Sequence, residues 1–260
     1  MTTSSSSPGG LAPRPGAAPR SRILAAQTGA EIRMTLRNGE QLLLTLVIPV
    51  LLLVGLSHLP ADVVGHSPAI DAVTPGILAL AVISTAFTGL AIATGFERRY
   101  GVLTLLGATP LGRSGLLVAK TLGVLAVEVA QVALIAVVAW LLGWQPVGSV
   151  PAAVVLLVLG TAAFASLGLL LAGTLRAEAT LAVANGLYLL LIAVGGVVIP
   201  AGRLPATVEP LVSLLPSAAL GQGLRDVLLH GESLPLGSVA VLLVWTAIGG
   251  VAASRTFRWS

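Results

Sequence analysis

The sequence predicts an all-α, polytopic membrane protein, and three observations point to this fold class. The 260 residues are 56% hydrophobic and only 9% charged, whereas soluble domains carry about 25% charged residues. The mean hydropathy is +1.00, and the apolar residues form runs of about 20 residues, the length of a helix that crosses a bilayer. The basic residues flank these runs, which is typical of membrane topology signals and argues against a nucleic-acid partner.

The N-terminal part is predicted to lie outside the bilayer. Residues 1–21 are rich in Ser, Pro, Gly and Ala, a composition typical of a disordered tail, here cytoplasmic. Residues 22–260 are expected to form a single membrane domain. Its first element, residues 22–38, is predicted to be a helix on the membrane surface, because Arg22, Arg33 and Arg37 fall on one side of a helical wheel.

Six apolar runs then predict six transmembrane helices. They lie at about residues 41–59, 74–95, 115–142, 150–175, 180–199 and 236–253. The first contains Pro49, where we expect a kink. Small residues recur one turn apart, as in the pairs Gly168 and Ala172, and Gly89 and Ala93, and this spacing predicts close helix packing.

The charge distribution predicts the orientation. With both termini in the cytoplasm, only Arg203 and Arg225 of the 14 basic residues lie on the outer side, as the positive-inside rule requires. The expected location is a cell membrane that the chain crosses several times. Between the fifth and sixth spans, prolines separate apolar pieces too short to cross the bilayer, which predicts short external or re-entrant helices.

Several kinds of chemistry are excluded or disfavoured. The chain has no cysteine, which excludes disulfides and thiolate metal sites. Its one lysine, Lys120, follows Ala119 in an apolar run, so there is no P-loop to bind ATP, and we expect the lysine to extend to water. His58, His66 and His230 lie in predicted loops without metal-ligand spacing. We therefore expect no catalytic residue, metal or cofactor in this chain, and a membrane enzyme is disfavoured.

One acidic residue lies inside a predicted span. Glu128 is about halfway along the third span, with Gln131 one turn later, and a carboxylate there costs roughly 2.5–3.5 kcal/mol. It should face the bundle interior or a cavity. Two interpretations remain open: a translocation path or gate formed with Gln131 and Asn185, or a structural carboxyl bonded to Gln131 or to a neighbouring hydroxyl or amide such as Asn185. The first would also suit an ion- or proton-coupled transporter or channel.

One strongly charged insert separates the second and third spans. Residues 96–113 read FERRYGVLTLLGATPLGR, with an acidic-basic start, a Gly-x-Leu step and an Ala-Thr-Pro-Leu turn. This insert resembles the cytoplasmic loop of type-2 ABC transporter permeases. The resemblance extends from residue 22 to the C-terminus through the surface helix, the six spans and the external helices, and is strongest to bacterial drug and antibiotic exporters.

The resemblance implies a concrete function. Such permeases pair, as identical or related chains in the lipid membrane, and each docks a separate subunit that binds ATP and Mg. The complex would export amphiphilic or lipophilic compounds such as drugs, antibiotics or lipids. A loop helix over residues 97–107 would be the coupling helix that contacts the ATPase. The implied coupling residues are Glu97, Arg98, Arg99, Gly101, Leu103, Leu106, Thr109, Pro110 and Arg113.

Physical arguments agree with a docking role for this loop helix. Val102, Leu103, Leu105 and Leu106 would form an apolar stripe, charged residues would begin the helix, and Pro110 would end it. The alternative is a short helix that lies among the lipid headgroups.

Overall fold

The computed structural model describes residues 18–60, 68–107, 110–194 and 209–257. Side chains are described in these ranges except at positions 40–44, 107, 113 and 209. Helices and short connections make up all four ranges, with no strand in them, which confirms the all-α prediction. Nearly all of the predicted tail lies outside the described residues.

Ten helices are present in the described ranges. They are α1 (Arg20–Arg37), α2 (Gly39–Ser57), α3 (Ala69–Arg99), α4 (Val102–Gly107), α5 (Gly112–Leu141), α6 (Val150–Thr174), α7 (Ala177–Val194), α8 (Glu209–Val212), α9 (Pro216–Leu228) and α10 (Leu236–Thr256). Five of them, α3, α5, α6, α7 and α10, contain stretches long and apolar enough to cross a membrane. The predicted first span corresponds to α2, whose apolar part, Thr45–Ser57, is shorter.

Helix α3 differs most from its predicted bounds. It begins at Ala69 and continues to Arg99, beyond the predicted range 74–95, so it includes three of the four charged residues of the insert, Glu97, Arg98 and Arg99. It also contains a π-helical segment, Ile83–Gly89, in which the turns are wider than in an α-helix. Its apolar window is 72% buried, which makes α3 the central helix of the bundle.

Helices α2, α6, α7 and α9 pack around α3. The contact with α6 is close because a β-carbon at Gly168 would lie 2.8 Å from the carbonyl oxygen of Phe87. One turn further along α6, Ala172 is fully buried. The predicted packing role of this glycine–alanine pair is therefore confirmed, and the ring of Phe87 meets that of Phe164 edge to face with centroids 6.4 Å apart.

The two ends of the bundle have different chemistry. At one end, the loop before α6 packs on α9: the backbone N–H of Val147 donates to the carbonyl of Leu228. Helix α9 is largely buried against α3, α6 and α10. Burial lowers the pKa of Arg225 to about 10, so this guanidinium stays charged at neutral pH. The opposite end, which we call the hairpin end, joins α3, α4 and α5 and carries the charged insert.

Candidate functional site

Helix α4 lies at the turn between α3 and α5. Gly101 and Gly112 bound this turn with φ angles of 74° and 68°, a region that glycine adopts without strain. We call the end of α3, α4 and the start of α5, residues 97–120, the hairpin. The insert is thus divided between three helices, and the prediction of one helix over residues 97–107 was wrong at its start.

The two faces of α4 have different environments. Leu103 is fully buried and packs with Leu116 and with Phe257, which follows the end of α10. Leu106 packs at the edge of the same cluster. Leu105 lies on the other face with 76% of its surface exposed. The predicted apolar stripe is therefore split between an inner face that holds α4 in place and an outer face that is open.

The carboxylate of Glu97 lies inside the protein, where it pairs with the ammonium of Lys120. Lys120 Nζ donates to Glu97 Oε2 at 2.6 Å and to Glu31 Oε2 at 3.0 Å. The lysine side chain is 1% exposed, so the prediction that it extends to water was wrong: two carboxylates take the place of solvent. We call Glu31, Glu97 and Lys120 the Lys120 clamp, since its members lie on α1, α3 and α5.

The neighbouring arginines also contact their own chain. Arg98 donates to the carbonyl oxygens of Ala172 and Leu175, which are at the C-terminal end of α6 and have no partner within that helix. Arg99 pairs with Glu178 in the first turn of α7. Both members of this second pair are more than half exposed, so it adds little stability. The three charged residues at the end of α3 thus connect it to four other helices.

The structure describes the remaining predicted coupling residues only in part. Pro110 is exposed in the turn that follows α4. Thr109 lies outside the described residues. Arg113 is in the first turn of α5, and its side chain is outside the described part.

Glu128 and Gln131 are both buried, but they have different partners. The Thr161 hydroxyl on α6 contacts Glu128 Oε2. Gln131 accepts a hydrogen bond from the Thr85 hydroxyl in the π segment at 2.9 Å and donates to the carbonyl of Thr45 on α2 at 2.6 Å. Gln131 therefore joins α2, α3 and α5. Asn185 is not a partner of Glu128, because it lies on α7 and donates to a carbonyl of its own helix.

A cleft of about 570 Å³ lies between α2, α3 and α7. Its walls are mainly apolar, and the polar groups on them come from a few side chains, including Thr45, Ser84, Thr88, Asn185 and Tyr188. The π segment supplies two of these hydroxyls. Of the three residues predicted to form a translocation path, only Asn185 lines this cleft, which we call the α2–α7 cleft.

A second cavity, of about 270 Å³, lies between α1, α3 and α5 beside the Lys120 clamp. It shares Asn38, Gly89, Ala93 and Phe96 with the α2–α7 cleft, so the two spaces adjoin. The prediction that Gly89 and Ala93 form a close packing contact was therefore wrong. The absence of a side chain at Gly89 and the single methyl group of Ala93 instead leave room for the two spaces. Glu128 is not among the lining residues of either one.

Sequence reasoning missed several residues of this region. The arginines of α1 indicate its basic face but give no role to Glu31, although a lone lysine in an apolar span indicates that a counter-charge must lie nearby. Phe257 and Tyr188 were missed for a different reason. A single aromatic residue near a span gives no sign of which helix it contacts.

Comparison with known proteins adds an independent observation. The family described as ABC-2 type transporter matches residues 24–229. The matched range begins within α1 and ends just after α9, so it includes the hairpin, the Lys120 clamp and the α2–α7 cleft. Comparison with curated proteins gave no match.

Proposed function

The chain belongs to the ABC-2 type transporter family, and from this membership we propose that it is the permease subunit of an ATP-driven exporter. The family consists of transporter membrane subunits and implies an ABC ATP-binding partner. In the proposed complex that separate subunit hydrolyses ATP. The permease lies in a bacterial inner membrane with six spans, counting α2, and with both termini and the hairpin in the cytoplasm.

The observation that carries this proposal is the open face of α4. Leu105 on α4 is 76% exposed and the neighbouring Thr104 is exposed as well, and Tyr100, in the turn just before α4, is 73% exposed. An aromatic and apolar patch held on a fixed backbone is a suitable protein-docking surface. We assign ATPase contact to this face and not to Glu97, Arg98 or Arg99, since those charges already have partners within the chain.

The α2–α7 cleft is the proposed substrate path. Apolar walls with a few polar groups suit an amphiphilic or lipophilic compound. Helix α7 is only 17% buried in its apolar window, and Asn185 is exposed near its middle. An amide facing lipid is costly, so a second permease chain against α7 would both shield it and close the cleft. The dimer is thus part of the proposal.

The alternative, an ion- or proton-coupled transporter that uses Glu128, is less well supported. Glu128 contacts Thr161 between α5 and α6 and does not line the α2–α7 cleft. A coupling site would need a route to both sides of the membrane, and the described lining of the cleft does not include this carboxyl.

The docking surface is tested by Leu105→Asp. The variant places a charge on the exposed face of α4 and leaves the buried cluster around Leu103 unchanged. We expect co-purification of the ATP-binding subunit to fall by about tenfold or more, as for loss of an apolar interface anchor. The matched control is Val147→Asp, which is 73% exposed at the opposite end and should bind normally. Normal association of the Leu105 variant would contradict the assignment.

A further inference from the structure

Lys120 is the only lysine of the chain, and it is shared by two helices that are distant in sequence. Glu31 lies on the surface helix α1, and Glu97 lies near the end of α3. Because the ammonium and both carboxylates are largely buried, a carboxylate that left Lys120 would lose its ion pair in a mostly apolar environment. The clamp therefore resists separation of α1 from the hairpin.

Steric contact at Gly123 adds to this connection. Gly123 follows Lys120 by one turn of α5, and a β-carbon at this position would lie 2.8 Å from the β-carbon of Glu31. Helices α1 and α5 thus meet at the smallest possible residue directly beside the ion pairs. Sliding of α1 along α5 would break this close contact as well as the hydrogen bonds of Lys120.

The clamp lies between the proposed docking surface and the proposed path. Glu97 is in the last turn of α3, directly before the Gly101 turn that leads into α4. The preceding residue, Phe96, lines both cavities, and so does Asn38 at the end of α1. A displacement of α4 that carried α3 and α1 with it would change the mouth of the cleft.

We propose that Lys120 is a positioning residue that makes α1 and the hairpin move as one body when the ATP-binding subunit acts on α4. The proposal rests on the proposed function. It predicts that without the clamp the ATP-binding subunit still associates with the permease and hydrolyses ATP. Its movement, however, no longer changes the shape of the α2–α7 cleft. A clamp that served stability alone would affect folding and would leave the response to ATP intact.

The absence of cysteine allows a readout that needs no known substrate. Ser84→Cys introduces a single thiol of similar size into the lining of the cleft. The parent protein carries this substitution and is reconstituted with its ATP-binding subunit. Its rate of labelling by a fluorescent maleimide is measured with and without ATP and orthovanadate. We expect the rate to change by about fivefold or more in the parent, which is the range of typical allosteric coupling.

Lys120→Met in this parent should abolish the ATP-dependent change, while association and hydrolysis stay within about twofold of the parent, since binding and coupling are separate steps. Lys120→Arg keeps the charge and should retain most of the change. Glu31→Met is a second variant that leaves Lys120 paired with Glu97, so the buried ammonium keeps a counter-ion. It should also lose the response because α1 no longer forms an ion pair with Lys120.

Gln27→Met is the matched control for Glu31→Met. Gln27 lies one turn earlier on α1 and donates to Glu31, but it does not contact the lysine. The control should respond to ATP like the parent. A full response in Lys120→Met or Glu31→Met would overturn the clamp proposal and leave the proposed function standing. A parent with an associated, active ATPase but no response to ATP would overturn the proposed substrate path and the clamp together.

Discussion

Glu128 shows how an acidic residue can be placed in an apolar span without access to water. The hydroxyl of Thr161 contacts both Glu128 Oε2 and the carbonyl oxygen of Leu157. The Thr161 hydroxyl thus bonds a carboxyl oxygen on α5 as well as a backbone carbonyl of its own helix. Glu128 thereby links α5 to α6.

This arrangement predicts a difference between two substitutions of Glu128. Glu128→Gln retains the shape and can donate its amide N–H to Thr161, so the free energy of unfolding should change by less than about 1 kcal/mol. Glu128→Ala removes the hydrogen bond and leaves a void, and should cost about 2–3 kcal/mol. Denaturant unfolding in detergent, followed by tryptophan fluorescence, measures both. Equal losses in the two variants would contradict a stabilising role of this hydrogen bond.

The same pair of variants bears on the function. If transport depended on a proton or ion at Glu128, the glutamine variant would be inactive although folded. The proposed ATP-driven permease should keep its ATP-dependent cleft labelling with glutamine at this position, since Glu128 is not among the residues lining the α2–α7 cleft.

At the residue scale, the sequence shows which buried side chains require a hydrogen-bond or ion-pair partner, but it does not show which residue that partner is. A carboxyl in an apolar span requires a bonded neighbour, and a hydroxyl on another helix was one of the open interpretations for Glu128. Its identity as Thr161 depends on the rotation of α6 about its axis, which hydropathy does not report. For the same reason Lys120 could be located on the third span, but its partner Glu31, 89 positions away, could not.

At the element scale, α3 combines a predictable part with an unpredictable one. Its apolar stretch follows from hydropathy, whereas its continuation to Arg99 depends on contacts with α1, α5, α6 and α7 that stabilise charges at a helix end. The π segment has no periodic signature in the residues Ile83–Gly89. Short apolar runs predicted α4 as a helix, but the burial of Leu103 required knowledge of where Phe257 lies.

The small residues of α3 lead to a prediction about the cleft. Ala93→Phe should fill the space that the two cavities share, because Ala93 lines both. We expect maleimide labelling of Ser84→Cys to fall by about tenfold, since a filled pocket excludes the probe. Association with the ATP-binding subunit should be normal. Ala182→Phe, at an exposed position of α7, is the control and should label like the parent. Unchanged labelling of the Ala93 variant would place the access route elsewhere.

At the scale of the whole molecule, the two ends of the bundle differ in charge and in packing. The hairpin end collects the Lys120 clamp, the Arg98 contacts with α6 and the open face of α4. The other end consists of α9 and the loop before α6. The distribution of arginines in the sequence predicts this difference in charge between the two ends. It does not predict the cleft, because the cleft is formed by three helices whose relative tilt depends on packing.

The proposed orientation is tested with single cysteines. Leu105→Cys and Val147→Cys are both well exposed and lie at opposite ends of the bundle. In intact cells that express the permease alone, a membrane-impermeant maleimide should label position 147. It should label position 105 only after permeabilisation, because the basic hairpin end is expected inside. Labelling of position 105 in intact cells would invert the topology and remove the ATPase from its proposed surface.

The π segment of α3 affects the direction in which the later side chains of that helix point around its axis. A π turn holds about one residue more than an α turn, and each residue of an α-helix advances by about 100° around the axis. The segment Ile83–Gly89 therefore sets the angle at which Glu97 and Arg98 leave the helix relative to its buried first half. If the same residues formed a regular α-helix, both side chains would rotate by about 100° away from Lys120 and from the carbonyls of α6. The wide turn thus allows each half of α3 to keep its own neighbours.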